Sequence, residues 1–346
     1  MTELKVSIPS SQKGYSINIG AGLSLDEIKA HEESGGFVVI DKNVARLYPH
    51  LVSMDRTYSF EASEDNKTLD SVRDMVGWLN DCGALRDSVL MAVGGGITGD
   101  TAAFAAAVYM RGIKVIQMPT TLLSMVDSSV GGKTGVNFCG VKNNIGAFHQ
   151  PCKVIIDTDF LKTISDEEFL NGFAESIKIA AIADGDFFEF LKNNKDAVIA
   201  RDSEVMTKVI HRSCQLKAAI VEADEKESGK RKLLNFGHTI AHAIETDSHH
   251  KIHHGYAVAM GMMYETQYAY KNGIADKNVY DGIKDILSLY GYTLEYNPQN
   301  KETFMKALAK DKKAVKSGIS LALTGKGLTG KIIDGVKPDE LGALFF

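Results

Sequence analysis

The chain has 346 residues, 44% of them hydrophobic and 24% charged, with a formal net charge of −5. That length suits two domains, and the composition is ordinary for a soluble enzyme. The charge excludes a global basic field for nucleic acid or an anionic membrane, and the longest apolar run, residues 101–110, is too short to span a bilayer.

The first residues, MTELK, run straight into a strand pattern, so no cleavable leader is expected. Residues 5–8 and 15–19 flank a turn at 10–14 and predict a hairpin, and residues 25–31 a short helix. Residues 36–41 (GFVVID) read as a buried strand ending in Asp41. An acid there can accept from a ribose hydroxyl, or it can simply form the turn in Asp-Lys-Asn. Residues 66–82 carry Leu69, Val72, Met75, Val76 and Leu79 at helical spacing.

The strand at 89–93 enters GGGITGD (94–100) and then an Ala-rich helix. Such glycines let a backbone approach a pyrophosphate, and the helix N-terminus adds N–H groups and positive dipole. The letters satisfy G-x-G-x-x-G, but late in the domain and with no acid about 20 residues on, so Asp41 is the candidate ribose acid. A strand at 113–118 leads to residues 119–137, too glycine-rich for a core element and too apolar at Leu122, Leu123 and Val126 for a free loop. Its GGKT lacks the first glycine of a Walker A pattern, which excludes an NTPase reading, although Lys133 and Lys142 remain anion contacts. The strand at 154–157 closes the α/β part.

SDEE at 165–168 is a capping box, and from there the pattern is almost entirely helical. The predicted class is α/β plus all-α: a Rossmann-like α/β domain over 1–164, then a mainly helical domain over 165–346. Phe169, Phe173, Ile177 and Ala181 form one apolar stripe; Glu175 and Lys178 lie off it, three apart, as a surface ion pair or as functional groups. In the helix 203–225, Lys217 falls on the apolar face, where it must snorkel or find a partner, and a bound anion is the partner expected. Residues 231–255 hold six of the ten histidines. His238 and His242, at i,i+4, share a helix face as a metal pair does, and His249, His250, His253 and His254 form a metal cluster or a polar His-rich loop. A helix through Lys312, a strand pair around Leu321 and Ile332, and a helix begun by Pro338 end the chain. The four cysteines, Cys82, Cys139, Cys152 and Cys214, form no CxxC pair, which suits reduced thiols in a cytoplasm.

Six segments in one order, GGGITGD, RGIKVIQMPTTLLSMVDSSVGGKTGVN, VKNNIGAFHQP, LKTISDEEFLNGFAESIK, DEKESGKRKLLNFGHTIAHAIE and HHGYAVAMGM, resemble the 3-dehydroquinate synthases, which are sugar-phosphate cyclases. The match runs from Asp41 to about Asp311. The resemblance implies an NAD-binding domain followed by a metal- and substrate-binding domain. It implies a metal, Zn²⁺ or Co²⁺, held by Glu175, His238 and His254, so that His242 contacts substrate and is not the metal partner of His238. It places Lys133, Asn143, Lys178, Lys217, Arg231 and Asn235 on substrate, with Asp127 between substrate and cofactor. Arg111 would be supplied by the partner subunit of a homodimer, and one of Lys312 and Lys313 would reach the substrate's carboxylate or phosphate. NAD would be held by Asp41, Asn43, Glu64, Lys67, Gly95, Gly96, Asp100, Thr120, Thr121, Asp127, Lys133, Lys142 and Thr163. The implied reaction takes 3-deoxy-D-arabino-heptulosonate 7-phosphate to 3-dehydroquinate by transient oxidation, phosphate elimination, re-reduction and intramolecular aldol closure.

Departures from the family pattern are Tyr256 for a frequent Glu, and Ala241 and Ala103 for frequent glycines. A 2-epi-5-epi-valiolone synthase is a competing reading, against which Asn235 and His242 speak. A glycerol dehydrogenase type of polyol enzyme is another, opposed by residues 119–137 and by the Glu175, His238 and His254 set. A non-catalytic metal-binding scaffold fits poorly with so many cationic positions present.

Overall fold

A computed structural model describes residues 1–8, 14–52, 55–310 and 318–346. Lys312, Lys313 and the turn residues 10–13 lie outside the described residues. In chain order the first elements are β1 (Thr2–Val6), β2 (Tyr15–Gly20), α1 (Ser24–Glu33), β3 (Phe37–Asp41), α2 (Lys42–Leu47), β4 (Thr57–Phe60), α3 (Leu69–Asp81), β5 (Val89–Gly94) and α4 (Gly96–Val108). Next come β6 (Lys114–Pro119), β7 (Lys133–Phe138), β8 (Val141–Phe148), β9 (Lys153–Asp157), α5 (Asp166–Ala183), α6 (Gly185–Asn193), α7 (Lys195–Ile199) and α8 (Ser203–Ala223). The remainder is α9 (His238–Asp247), α10 (His254–Lys271), α11 (Lys277–Leu289), α12 (Lys301–Lys310), β10 (Ile319–Gly325), β11 (Thr329–Val336) and α13 (Pro338–Gly342).

The chain divides into two compact units: Met1–Phe169 with Met206–Lys226, and Leu170–Val205 with Glu227–Phe346. This differs from a single cut after residue 164. The helix that carries Lys217 groups with the first unit, where Cys214 Sγ donates to the Met125 carbonyl at 3.3 Å and the Ser7 amide donates to Glu222 Oε1 at 2.7 Å.

The first unit is built on a seven-stranded sheet in the order β1-β2-β9-β6-β5-β3-β4. The β1–β2 hairpin is antiparallel and the other pairings are parallel. Parallel strands covered on both faces read as continuous apolar runs, and Val38, Val39 and Ile40 of β3 are fully buried, as are Leu90, Met91 and Val93 of β5. Helix α4 lies close to the sheet because Ala102, Ala103, Ala105 and Ala106 bury small side chains. Residues 119–137 contain one π turn, Ser124–Ser128, and then β7, which pairs with β8 as a separate hairpin.

Ser165 Oγ, at the end of the first unit, accepts from the Glu168 amide at 3.1 Å and opens α5, as the expected capping box requires. In the second unit, Asp184 caps α6 and Asp276 caps α11 in the same way. The β10–β11 pair is antiparallel, with Thr324 Oγ1 donating to the Ala181 carbonyl of α5 at 2.6 Å. Buried Asp247 at the end of α9 accepts from Tyr296 Oη (2.7 Å) and from the Gln299 and Asn300 amides (2.6 and 3.0 Å), which fixes the start of α12. No helix among the described residues is long and apolar enough to cross a membrane.

Candidate functional site

In the first unit, the expected cofactor residues gather at the carboxyl ends of the parallel strands, where open α/β sheets bind ligands. Gly94 ends β5, Gly95 is the N-cap of α4, and Gly96 begins it, so the glycine loop has the strand–turn–helix context a pyrophosphate site needs. The Thr120 amide, just past β6, donates to the Gly94 carbonyl at 2.9 Å, and Thr121 Oγ1 bonds Ser124 Oγ at 2.9 Å. Asp41 ends β3 and caps α2 by accepting from the Asn43 amide at 2.7 Å, so its turn-forming role is real; burial raises its pKa. Thr163 Oγ1 lies 2.9 Å from Tyr48 Oη.

Lys67 is buried and donates to Asp100 Oδ2 and Asn143 Oδ1, both at 2.6 Å. Burial raises the Asp100 carboxyl above its usual range, and the charge of Lys67 offsets only part of that rise. Asn143 takes a φ of +52°, and its amide donates to Asn137 Oδ1 at 3.0 Å; Asn137 Nδ2 donates to Glu64 Oε2 at 2.8 Å. Lys142 stands 3.8 Å from Glu64 Oε1. Five expected residues thus form one polar network, joined by Asn137, which sequence reasoning missed. Lys133 is exposed at the start of β7, and Arg111 is exposed at a bend with φ +68°.

Lys217 is 6% exposed, and its ammonium donates to Asp127 Oδ1 at 2.7 Å and to the Asp127 carbonyl at 2.5 Å. A protein carboxylate inside the same unit thus meets the lysine for which a bound anion is expected.

In the second unit, three separate segments bring Glu175, His238 and His254 together, with ligand atoms within 4.8 Å of one another. Glu175 Oε1 is 3.7 Å from His238 Nε2 and 3.6 Å from His254 Nε2. Both spans are short enough for one cation about 2.1 Å from each atom. Glu175 and Lys178 form an ion pair and both are only 3% exposed, so the surface-pair alternative is wrong: one turn of α5 carries them inward. Neither Glu175 oxygen has a well-formed hydrogen bond, which is the chemistry of a carboxylate made for a cation.

Burial alone would raise Glu175, but Lys178 and then the two histidines hold it well below the usual carboxylate range. Desolvation and the Lys178 charge lower His238 to about 3, leaving a neutral imidazole fit for a metal. His254 feels the same desolvation, but Glu175 and Glu245 carry it up to about 10. His238 Nδ1 lies 3.2 Å from the Phe236 carbonyl, which directs Nε2 toward Glu175.

His242 is exposed with its ring centroid 5.6 Å from that of His238, while the His238–His254 separation is 5.1 Å. The i,i+4 spacing thus correctly put His238 and His242 on one helix but named the wrong metal partner. Among the described residues His249, His250 and His253 belong to no metal group, and His249 and His250 occupy a turn with φ of +52° and +57°. Arg231 is buried, and Asn235 Nδ2 donates to Glu227 Oε1 at 2.8 Å. Glu227, Glu245 and Glu265 were not anticipated. The available signal was an acid placed among apolar helix positions, as at Glu245 beside Ile244.

Two family descriptions cover this chain: 3-dehydroquinate synthase N-terminal over residues 57–171 and 3-dehydroquinate synthase C-terminal over residues 172–314. A curated 3-dehydroquinate synthase from Alkaliphilus metalliredigens is 39% identical, covering 99% of this chain and 98% of its own. The chain belongs to the 3-dehydroquinate synthase family. Another member, from Caldanaerobacter subterraneus subsp. tengcongensis, is 41% identical over 86% of both chains.

Among solved structures, a 2-epi-5-epi-valiolone synthase from Streptomyces hygroscopicus subsp. jinggangensis, with NAD⁺ and Zn²⁺ bound, shares the fold at TM-score 0.87 and 24% identity, covering 99% of this chain and 98% of that one. A 2-deoxy-scyllo-inosose synthase complexed with carbaglucose-6-phosphate, NAD⁺ and Co²⁺ does so at TM-score 0.87 and 23% identity, covering 99% of both. An iron-containing alcohol dehydrogenase is further away, at TM-score 0.68 and 17% identity, covering 96% of both. The likeness to dehydrogenases is thus one of fold, while the sequence relatives are synthases of one family.

Proposed function

We propose that this enzyme converts 3-deoxy-D-arabino-heptulosonate 7-phosphate to 3-dehydroquinate and phosphate, with NAD⁺ and Zn²⁺ or Co²⁺, as a homodimer in the cytoplasm. The observation that carries the reading is the Glu175, His238 and His254 triangle, whose ligand atoms lie within 4.8 Å of one another. When bound, NAD⁺ would supply reversible hydride acceptance at C5, and a divalent cation held by Glu175, His238 and His254 would supply Lewis-acid polarisation of the C5 oxygen.

The chain's own groups do the rest. The Gly94–Gly96 turn and the N-terminus of α4 take the pyrophosphate, and Asp41 takes a ribose hydroxyl. Lys133, Lys178, Arg231 and one of Lys312 and Lys313 supply positive charge for a substrate that bears both carboxylate and phosphate. Lys217 is held by Asp127 and presents its charge from a fixed position. Asn143 and Asn235 offer amide groups to substrate hydroxyls. His242 is exposed and moves the proton of the C5 hydroxyl.

If hydrogen taken from C5 returns to C5, NAD⁺ is not consumed. Phosphate release should then proceed for many turnovers on catalytic NAD⁺ without growth of the reduced-nicotinamide absorbance. Chelation should stop it, and Zn²⁺ or Co²⁺ should restore it. Stoichiometric NADH from glycerol or another polyol, with no phosphate released from the heptulosonate phosphate, would overturn the proposal in favour of a dehydrogenase.

A further inference from the structure

Helices α9 and α10 each begin with one histidine of the metal triangle, and each also carries a buried carboxylate aimed at the other helix. Glu245, on α9, is 7% exposed and places Oε1 at 3.5 Å from Nδ1 of His254 on α10. Glu265, on α10, is fully buried and accepts from the Gly237 amide at 2.6 Å and from the Ile240 amide at 3.2 Å. Those amides flank His238 at the first turn of α9, where N–H groups lack helical partners and a negative charge is favoured.

We propose that Glu245 and Glu265 are positioning residues that hold the two metal-binding histidines by a crossed arrangement, each helix fixing the histidine of its neighbour. Glu245 accepts from Nδ1–H of His254 and leaves Nε2 toward Glu175. Glu265 fixes the backbone from which His238 projects. A histidine whose second nitrogen is held this way loses less freedom on binding a cation and donates more strongly to it, and removing such a partner typically costs about 10–100-fold in metal affinity. Neither role requires contact with substrate. The inference rests on the metal reading of Glu175, His238 and His254.

The test is chelator competition for Zn²⁺ and Co²⁺ on the full chain, with the visible spectrum of the Co²⁺ form and the thermal midpoint of the metal-free form measured beside it. Glu245→Ala should weaken metal binding about 10–100-fold and alter the Co²⁺ spectrum. It should also lower the metal-free midpoint because His254 loses a buried counter-charge, so affinity and spectrum are read at a temperature where the metal-free chain is folded. Glu245→Gln keeps an acceptor oxygen for Nδ1–H and should recover part of the loss. It decides the matter by the same criteria if Glu245→Ala does not fold. Glu265→Gln should lower both the midpoint and the affinity.

Parent-like affinity and spectrum in Glu245→Ala would overturn the role of Glu245. A lowered midpoint with unchanged affinity would reduce Glu265 to a helix cap. His254→Ala and exposed His253→Ala serve as controls. If the parent and His254→Ala bind metal equally poorly, or if His253→Ala loses as much metal as His254→Ala, it is the metal reading that fails.

Discussion

A lysine on the apolar face of a helix is incomplete as a sequence fact, because periodicity shows where it sits and not what it meets. Lys217 meets Asp127, whose side chain is 32% exposed while that of Lys217 is 7% exposed. Lys217→Met should therefore destabilise the protein, and not leave it as stable as an anion-binding lysine would. Loss of one member of a buried pair costs about 3–5 kcal/mol, and partial solvation of Asp127 reduces that to about 2 kcal/mol here. Urea unfolding of Lys217→Met, Asp127→Asn and the double variant measures the coupling. A coupling below about 0.5 kcal/mol would show that the pair contributes nothing to folding and that Lys217 is kept for a ligand alone. Glu175 gives the same lesson more sharply. Its spacing to Lys178 suggested a surface pair, yet α5 turns both inward, and nothing local to that helix announces the two distant histidines.

What brings those histidines to Glu175 is backbone contact at glycines. A Cβ at Gly255, next to His254, would stand 1.9 Å from the carbonyl oxygen of Asn171, one turn before Glu175 on α5; a Cβ at Gly261 would stand 1.9 Å from the carbonyl oxygen of Gly237, next to His238. These contacts leave no space for a methyl group unless α10 moves away from its neighbours. Gly261→Ala should cost about 3 kcal/mol or more and should lower bound metal per chain further than the stability loss explains. A thermal melt and a metal assay on the purified variant check both. Parent values for both would mean that the close approach does not build the site. Long periodic segments such as α3 and α8, and apolar runs such as β3 and β5, were legible because burial imposes a period or a block on the sequence. The β7–β8 hairpin was not legible. It begins after Gly131 and Gly132, both at positive φ, and Gly135 faces Gly146 across it, so small and polar residues hide the alternation.

In the proposed homodimer Arg111 would serve the neighbouring chain. Arg111 lies between exposed Met110 and a glycine, at the end of α4, where Val108 is also exposed. His149 ties the end of β8 to this bend through the Ile113 carbonyl at 2.8 Å, and Phe148, the residue before it, is exposed. Apolar side chains around a cation suit a surface covered by a second copy. If Arg111 acts across that surface, Arg111→Ala chains and Glu175→Ala chains are each inactive, but a mixed dimer regains one working site. That site takes Glu175 from the first chain and Arg111 from the second. An equal mixture exchanged to equilibrium holds about half mixed dimers, each with one of two sites working, so about a quarter of parental activity should return. Mass measurement under native conditions establishes that exchange has taken place. Exchange without recovered activity would assign Arg111 to its own chain's substrate or to none, and the dimer would then be a matter of stability and not of catalysis.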